Sequence, residues 1–451
     1  MSMRKLQSLN PLQGLYNQYG LVARLRKDLN LVIISVAFGN ICFYITGGSP
    51  FTGFAQKLGA GDFFFGLMMA VPLLGTLCQF IASWVLEKTR NRRLVMIWCG
   101  LPGRSMWLFI GLVPFFVPMS AGNLRLWIIV FLATVYNAGN AFVNIGYQSW
   151  ISDLIPLQMR GRFLAIRSSV STILGLVISV LVSFLLDQVS SLAGYAVVFA
   201  VAAAGGCMDV LLYLGVSQVP FQQSEPAPYG RIFKSVVTNP KFVKYLAFWS
   251  MWSFTWNLSG PYYMRYALSA MGLTFLAVTL CGQVAQGMST AFTVPRWGAA
   301  LDAKGADWVL KRALTIACLS PIFWVFAKPG AFWPYLLFSI AIGIGTGAVD
   351  LTNMQRLITV TPDKNRSVYL AIFAAITTLM GQGLGNLVGG AILEAIGEAT
   401  INLGFAVLDR YQMLFLLSAV LRFSTLLLLP GMLSMSSEPS EQTAVPAEAS
   451  R

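Results

Sequence analysis

The stretch that decides the fold runs from Trp150 to Arg167 and reads WISDLIPLQMRGRFLAIR. It joins two long apolar runs, and a second copy at 359–372 reads TVTPDKNRSVYLAI. A self-match at a fixed distance is the sequence signature of repeated structure, so it predicts two halves of similar build. Five positions recur 206 residues later: Pro156 as Pro362, Arg160 as Arg366, Leu164 as Leu370, Ala165 as Ala371 and Ile166 as Ile372.

Weaker matches continue this repeat along the chain. They keep the same order, and their separation varies between 206 and 219 residues, as insertions in loops would cause. The common order, rather than any single match, supports two related halves. The matched positions are Gly48-Ser49-Pro50-Phe51 with Ser259-Gly260-Pro261-Tyr262, Leu86-Glu87 with Leu301-Asp302, Cys99 and Pro102 with Cys318 and Pro321, and Tyr195 and Phe199 with Tyr411 and Phe415.

The composition indicates an integral membrane protein built from helices. Hydrophobic residues make up 56% of the chain and charged residues 11%, whereas a soluble domain carries about 25% charged residues. Apolar runs of about 20 residues recur throughout, which is the length that a helix needs to cross the hydrocarbon core. These runs lack the alternation of barrel strands, and the backbone must be satisfied within the membrane, so we expect an all-α protein.

Membrane topology explains the net charge of +14 better than nucleic-acid binding does. Lys and Arg are concentrated in alternate short loops, the pattern of cytoplasmic loops in membrane proteins. All six cysteines lie within apolar runs, which favours small core residues over disulfides. The chain has no histidine, the commonest general base and metal ligand, and we expect no metal and no cofactor.

Twelve transmembrane helices are predicted, in two pseudo-symmetric six-helix bundles. The expected spans are 29–50, 62–86, 94–117, 124–150, 163–187, 194–216, 241–262, 270–297, 309–327, 332–356, 367–393 and 410–433. Prolines punctuate the segment between the halves, and the Ser- and Glu-rich end of the chain predicts disorder. The expected domains are a cytoplasmic segment 1–28, a bundle 29–216, a cytoplasmic linker 217–240, a second bundle 241–433 and a cytoplasmic tail 434–451.

The positive-inside rule gives the expected orientation. Five basic loops share one side with the N-terminus: 88–93, 160–167, 231–244, 304–312 and 356–366. The loops on the other side carry few cations, namely Lys57, Arg125, Arg265, Lys328 and Arg410. Cytoplasmic loops are the ones enriched in Lys and Arg, so we expect a multi-pass protein of the cell membrane with both termini in the cytoplasm.

Two six-helix halves with a long linker resemble the major facilitator superfamily, over about residues 29–433. The signature of that family is a short loop of the form GxxxDRxGRR between helices 2 and 3, echoed between helices 8 and 9. The second copy here is WGAALDAKG, and the PxxxRGR segment from Pro156 resembles the family's loop before helix 5. The first copy is degraded, with Ser83, Glu87 and Lys88 at the glycine, aspartate and arginine positions.

The resemblance implies that this loop latches the cytoplasmic side when the carrier faces outward. Gly298 would let neighbouring helices approach closely, and the Asp302 carboxylate would meet a helix N-terminus or a basic residue. A plain tight turn with solvated charges is the alternative. The residues expected to form the latch are Glu87, Lys88, Arg160, Gly298, Asp302, Gly305 and Arg366.

The resemblance also implies a solute cavity near the membrane midplane, lined by helices 1, 4, 7 and 10. Helix 4 gives the clearest pattern, because four amides fall three or four residues apart and so share one face. Amides are costly in hydrocarbon, and a stripe of them predicts a face turned to water or solute, with hydrogen bonding between helices as the alternative. These residues are Asn137, Asn140, Asn144 and Gln148, with Tyr136 beside them.

Helices 1 and 7 add further candidates for substrate binding. Trp249, Trp252 and Trp256 follow the i, i+3, i+7 spacing of one helical stripe. Such a stripe predicts an aromatic wall that stacks on rings, sugars or lipid-like chains, and an interfacial Trp belt is the alternative. The candidates are Asn40 and Tyr44 on helix 1 and Trp252, Trp256 and Asn257 on helix 7.

Four charged residues lie deep within predicted spans. Asp350 on helix 10 stands 206 residues after Asn144, beside Asn353, and it is a candidate for substrate binding and for proton coupling. Its alternative role is as a structural partner of Arg356 or of an amide. Similar depths predict a structural ion pair between Arg104 on helix 3 and Asp209 on helix 6, whereas Arg422 on helix 12 has no evident partner in the sequence.

The leading interpretation is a secondary active transporter that moves a small organic solute by alternating access. Proton coupling, as in symport, is one expectation, and a neutral solute fits a cavity rich in amides and aromatic rings. The alternatives are a lipid or lysolipid mover and a non-transporting sensor or scaffold on a carrier fold. No nucleophile and base constellation, metal cluster or phosphate loop is evident, so we expect neither an enzyme nor a nucleic-acid partner. Carriers of this build usually act as monomers.

Overall fold

The computed structural model describes residues 23–189, 191–219, 236, 238–362, 366–402, 404 and 407–433. Most of the predicted N-terminal segment, most of the predicted linker and the predicted tail lie outside the described residues. Helices dominate the described part, and one short antiparallel pair joins β1 (Ile401–Asn402) to β2 (Val407–Leu408). The described chain is therefore all-α in its architecture.

The helical stretches are numbered α1 to α12 in chain order. Several contain a turn of 3₁₀ or π helix, which does not interrupt the stretch. They are α1 (Ala23–Lys57), α2 (Asp62–Thr89), α3 (Arg92–Phe116), α4 (Leu124–Leu154), α5 (Leu157–Gln188), α6 (Leu192–Leu212), α7 (Pro240–Ser269), α8 (275–304), α9 (Ala306–Phe326), α10 (Trp333–Val360), α11 (366–396) and α12 (Arg410–Leu433).

Local signals in the sequence start these helices. The side chain of Asn91 accepts a hydrogen bond from the Leu94 amide at the start of α3. Ser191, Asn239 and Thr274 cap α6, α7 and α8 in the same way. A side-chain oxygen at this position satisfies one of the free amides of the first turn, so each cap fixes where a helix begins.

Ten of the helices in the described residues are long and apolar enough to cross a membrane, with mean hydropathy between 1.3 and 2.4. The other two, α7 and α8, are similarly long but more polar. Helix α7 is rich in Trp, Tyr and Ser, and α8 carries Gln, Ser, Thr and Arg. Polar residues within a buried helix mark the positions where a membrane protein packs helices together or lines water.

The helices pack as two groups that follow the sequence repeat. In the first group α3 packs on α4 and α6, while α1 packs on α5 and α6. In the second group α10 packs on α8 and α9, while α7 packs on α11 and α12. Contacts between the groups run through α2 with α11, α5 with α8, and the end of α1 with α7.

Several boundaries differ from the sequence prediction, among them the end of α1 and the junction of α4 with α5. Helix α1 extends to Lys57 rather than ending near residue 50, and it breaks at Gly47 and Gly48. Gly48 has φ 69°, a left-handed value that glycine adopts at little cost. The repeated stretch that starts at Trp150 is not a loop: α4 continues to Leu154 and α5 begins at Leu157, so only two residues connect them.

Arg104 and Asp209, the predicted pair, lie within ion-pair distance behind α1. Arg104 Nη2 and Asp209 Oδ2 are 3.3 Å apart, and both residues are buried. Arg104 Nη1 also donates to the Tyr136 hydroxyl at 3.2 Å and lies 3.6 Å from Cys42 Sγ. The guanidinium therefore ties α3 to helices α1, α4 and α6.

We expect Asp209→Asn to lower the yield and the unfolding temperature of the purified protein. The change leaves a buried guanidinium without its counter-charge, and removing one partner of such a pair costs about 3–5 kcal/mol. The double change with Arg104→Gln should recover part of the loss, because neither charge then remains. Asp302→Asn, at an exposed carboxylate, is the control. Normal yield and stability for Asp209→Asn would show that the pair has no structural role.

Candidate functional site

One face of the molecule is closed by charged contacts between the two halves. We call the face at which α1 ends and α2 begins the closed face, and the opposite one the open face. Asp62, in the first turn of α2, is 5% exposed and accepts from three side chains of the second half. Its Oδ1 is 2.8 Å from Arg265 Nε and 2.6 Å from the Tyr411 hydroxyl, and its Oδ2 is 3.2 Å from Arg410 Nη2.

These four residues form what we call the Asp62 cluster. Arg265 comes from the end of α7, while Arg410 and Tyr411 come from the start of α12. Arg265 Nη2 also donates to the Ala60 carbonyl at 2.7 Å, which adds a second contact to the first half. Charge-assisted hydrogen bonds contribute about 1.5–3 kcal/mol each, so the cluster is a strong link between the halves.

Two carboxylates cap helices of the opposite half on the same face. Asp187, at the end of α5, accepts from the Phe275 and Leu276 amides at 2.7 and 2.9 Å, at the start of α8. Glu394, near the end of α11, accepts from the Phe63 amide at 3.2 Å, at the start of α2. A carboxylate at a helix N-terminus is stabilised by the free amides and by the helix dipole. The two contacts are counterparts under the sequence repeat.

Glycines bring the backbones of α2 and α11 together beside these caps. A Cβ added to Gly66 would lie 2.4 Å from the Tyr262 hydroxyl and 2.5 Å from the Asn386 carbonyl. A Cβ added to Gly390 would lie 2.6 Å from the Asp62 carbonyl. Only glycine fits at these two positions while this face is closed.

The halves separate toward the open face. About halfway along the helices, a Cβ on Gly287 of α8 would meet only Leu176 of α5, at 4.0 Å. Beyond that point the part of α8 from Ala285 to Lys304 has no buried residue, and Leu164 and Ile173 of α5 are exposed. The described contacts between the two halves are therefore concentrated at the closed face.

Unpaired polar side chains lie within this open half. Asn140 on α4 is half-buried, Asn144 and Gln148 are exposed, and no hydrogen-bond partner is found for them among the described residues. Asp350 on α10 is also exposed and unpaired within the same part of the chain. Polar groups of a spanning helix that face lipid are costly, so these side chains are best accommodated by water between the halves.

Asn144 and Asp350 occupy equivalent places in the two halves. Each lies ten residues before the end of its helix, α4 at Leu154 and α10 at Val360. The amide and the carboxylate therefore lie at similar depth, about 15 Å from the open ends of their helices. Together they place hydrogen-bond donors and acceptors at one depth in the two halves.

Helix α7 contributes the aromatic part of the site. The rings of Trp252 and Trp256 are 6.1 Å apart, and the half-buried Trp256 carries the guanidinium of Arg422 over its ring at 4.5 Å. Trp249 is buried against α9 and α10. The Asn257 amide donates to the Ser253 carbonyl of its own helix at 2.8 Å.

The remaining candidates for substrate binding are engaged within their own half. Asn40 donates to the Ser171 carbonyl at 2.9 Å and accepts from the Ser171 hydroxyl at 3.0 Å. The Tyr44 ring packs on Gly175, where no Cβ would fit. Tyr136 is buried beside Arg104. Asn137 donates to the Ala133 carbonyl, and Asn353 accepts from the Tyr245 hydroxyl. These groups shape the wall rather than presenting free polar atoms.

The residues expected to form the latch do not pair with one another in the described part of the chain. Glu87 and Asp302 have no partner among the described residues, Lys88 lies 5.1 Å over the Trp84 ring, and Arg160 donates to the Ser152 carbonyl. The side chain of Arg366 lies outside the described residues.

Gly298 does not provide the close helix approach that the sequence suggested, since a Cβ there would meet nothing within 4 Å. Gly305 has φ 81° and forms the turn between α8 and α9. The proposed pairing of Arg356 with Asp350 is also wrong, because Arg356 pairs with Asp307. Among the described residues no group of three or more metal-ligating side chains is present.

The contacts of the closed face were not recognised in the sequence. Arg265 and Arg410 stand out in the sequence only as exceptions to the charge asymmetry of the loops. The sequence signal for this cluster is the presence of opposite charges on three loops of the sparsely charged side. Asp187 and Glu394 gave none, because their partners are backbone amides.

No family model and no curated protein matches this chain. Solved transporter structures do match its fold. One is the inward-facing, unoccupied form of a bacterial homolog of the human lysosomal transporter Spinster, with 16% identity, TM-score 0.66, and coverage of 92% of this chain and 97% of that one. Another is the nucleoside transporter NupG, with 14% identity, TM-score 0.62, and coverage of 91% and 100%. The chain therefore shares the fold of these transporter structures.

We expect Asp62→Asn to shift the protein toward a form that is open at the closed face. The neutral amide cannot balance Arg265 and Arg410, so the link between the halves weakens. Spin labels at Lys57 and Lys328 should move apart, while labels at Lys88 and Lys304, beyond the open ends, should move together. Glu398→Gln, at an exposed carboxylate of the closed face without a partner in the described chain, is the matched control. Unchanged distances in both label pairs would contradict a locking role for the Asp62 cluster.

Proposed function

We propose that this protein is a secondary active transporter that moves a small organic solute across the cell membrane by alternating access. The observation that carries the proposal concerns Asn144 and Asp350, which have no partner among the described residues. These two side chains lie at equivalent depth in two halves whose described contacts lie at one face. A polar cleft open to one side of the membrane is what a carrier presents when it loads or releases its solute.

The proposal includes twelve membrane crossings, with α7 and α8 among them, arranged as two six-helix bundles. Several of their polar side chains bond to helices of their own half, as Ser259 does to Ser418 and Trp297 to the Ile344 carbonyl, and such groups account for their lower hydropathy. The basic loops lie at the open face, so the positive-inside rule supports an inward-facing state with both termini in the cytoplasm. A monomer suffices, because both halves of the cleft belong to one chain.

The cleft favours a small solute with hydrogen-bonding groups and a ring. Asn140, Asn144 and Gln148 supply amides from α4, and Trp256 supplies a flat apolar surface from α7. Nucleosides have this combination of chemistry, and a nucleoside transporter is among the proteins with the same fold. Nucleosides therefore enter the first panel of solutes, beside sugars, amino acids, small peptides and organic acids.

We expect one class in that panel to raise the unfolding temperature of the purified protein, and Asn144→Ala to abolish the shift. A ligand at about 100 times its dissociation constant adds roughly 2.7 kcal/mol to the folded state. Gln188→Ala, at an exposed amide on the closed face, is the control and should keep the shift. If no class shifts the transition, or if Asn144→Ala responds as the unchanged protein does, the proposed cleft site is wrong.

Asp350 is proposed to couple transport to protons, since it is a carboxylate in a spanning helix without a partner in the described residues. We expect Asp350→Asn in liposomes to abolish uphill uptake driven by a pH gradient while retaining exchange of labelled for unlabelled solute. The amide keeps the hydrogen-bonding shape but cannot gain or lose a proton. Gradient-driven accumulation by Asp350→Asn at the normal level would contradict the coupling role.

A further inference from the structure

Arg422 is a buried positive charge at the middle of the second half. It is 0% exposed and lies at the centre of α12. Its Nη1 donates to the Ala317 carbonyl at 3.3 Å, and its Nη2 lies 3.2 Å from both the Ser259 and Tyr263 hydroxyls. Its Nε has no hydrogen-bond partner among the described residues. The contacts are long, and every recorded partner is neutral.

No carboxylate of the described chain lies within 4.0 Å of this guanidinium. Two other buried arginines, Arg104 and Arg265, each face an aspartate. A charge in a dry, low-dielectric interior is screened far less than one in water. The electric field of Arg422 therefore extends to neighbouring groups, because no adjacent carboxylate of the described chain cancels it.

Trp256 is the residue through which this charge reaches the cleft. The guanidinium lies 4.5 Å over the indole ring, and it thereby occupies one face of a side chain that is only half-buried. Trp256 lies near the middle of α7, as Arg422 lies near the middle of α12. A cation behind the ring draws its π electrons away from the other face, so that face loses its attraction for a second cation.

We propose that Arg422 gives the wall of the cleft around Trp256 a fixed positive potential, so that the site takes uncharged or anionic organic solutes with a ring and rejects organic cations. This inference rests on the proposed function, because it needs a cleft beside Trp256. Asp350 carries the opposite charge, but its exposure to water screens it, whereas Arg422 is fully buried. The buried charge therefore sets the preference at the α7 wall.

The test measures the sign of the potential without knowledge of the solute. Gly260 lies one turn after Trp256 on α7, and a Cβ there would meet nothing closer than Asn257 Oδ1 at 3.8 Å, so Gly260→Cys fits. The half-buried Cys78, Cys99 and Cys207 are replaced by alanine. Rates of modification by methanethiosulfonates that carry a sulfonate or a trimethylammonium group are then measured by mass spectrometry on the full chain, with the rate of the parent without Gly260→Cys subtracted.

The quantity compared is the modification rate of the sulfonate reagent divided by that of the trimethylammonium reagent. We expect this ratio at position 260 to fall on the order of tenfold in Arg422→Gln, and to persist in Arg422→Lys, which keeps the charge. Arg312→Gln is the matched control, because it removes another guanidinium that stacks on a tryptophan, 3.6 Å over Trp308, at the exposed start of α9. The ratio should not change there. An equal ratio in the unchanged protein and in Arg422→Gln overturns the proposal.

A second comparison decides the matter if Arg422→Gln does not fold. Gln148→Cys places the same thiol on α4, in the opposite wall, and the proposal requires a higher ratio at position 260 than at position 148. Equal ratios overturn it. Failure of the proposed function gives a different result: if neither position reacts with either reagent in the folded protein, there is no accessible cleft. Reaction at both positions without charge preference contradicts only the role of Arg422.

Discussion

The carboxylate of Asp62 is the contact on which the arrangement of the two halves depends. It belongs to the first half and receives Arg265, Arg410 and Tyr411 from the second. Buried charges are stable only when they are paired and hydrogen-bonded, and here the pairing is complete only while the halves touch. The fold thus places a strong polar link in the one region that must separate if the cleft is to open on the other side.

The carboxylate caps make this link symmetric. Asp187 holds the start of α8, and Glu394 holds the start of α2, so each half grips a helix of the other by its free amides. When such contacts break, water can hydrogen-bond to the freed amides at the exposed helix end, so no amide is left unsatisfied. The close packing at Gly66 and Gly390 makes the surfaces of the two halves complementary in shape at this contact. A surface that is tight, polar and solvent-reachable is suited to reversible closure.

The sequence predicted the fold well because the lipid bilayer imposes long apolar runs, and the repeat of Pro156 and Arg160 at Pro362 and Arg366 revealed the two halves. It also predicted the depth of Arg104 and Asp209, since rise per residue converts position into depth. It could not show which polar groups find partners. Asn40 and Asn144 look alike in the sequence, yet Asn40 is bonded to Ser171 and Asn144 has no partner among the described residues.

The same limit explains why Arg422 had no account in the sequence. A lone arginine in an apolar helix suggests that an acidic side chain elsewhere pairs with it, but none of the described residues supplies one. The structure shows carbonyls, hydroxyls and an indole ring around it instead. These groups satisfy part of the hydrogen-bonding capacity of the guanidinium but leave its charge uncancelled. A buried charge without a counter-charge lowers the stability of the fold. Discrimination between solutes by their charge, as proposed for Arg422, is a physical reason for retaining it.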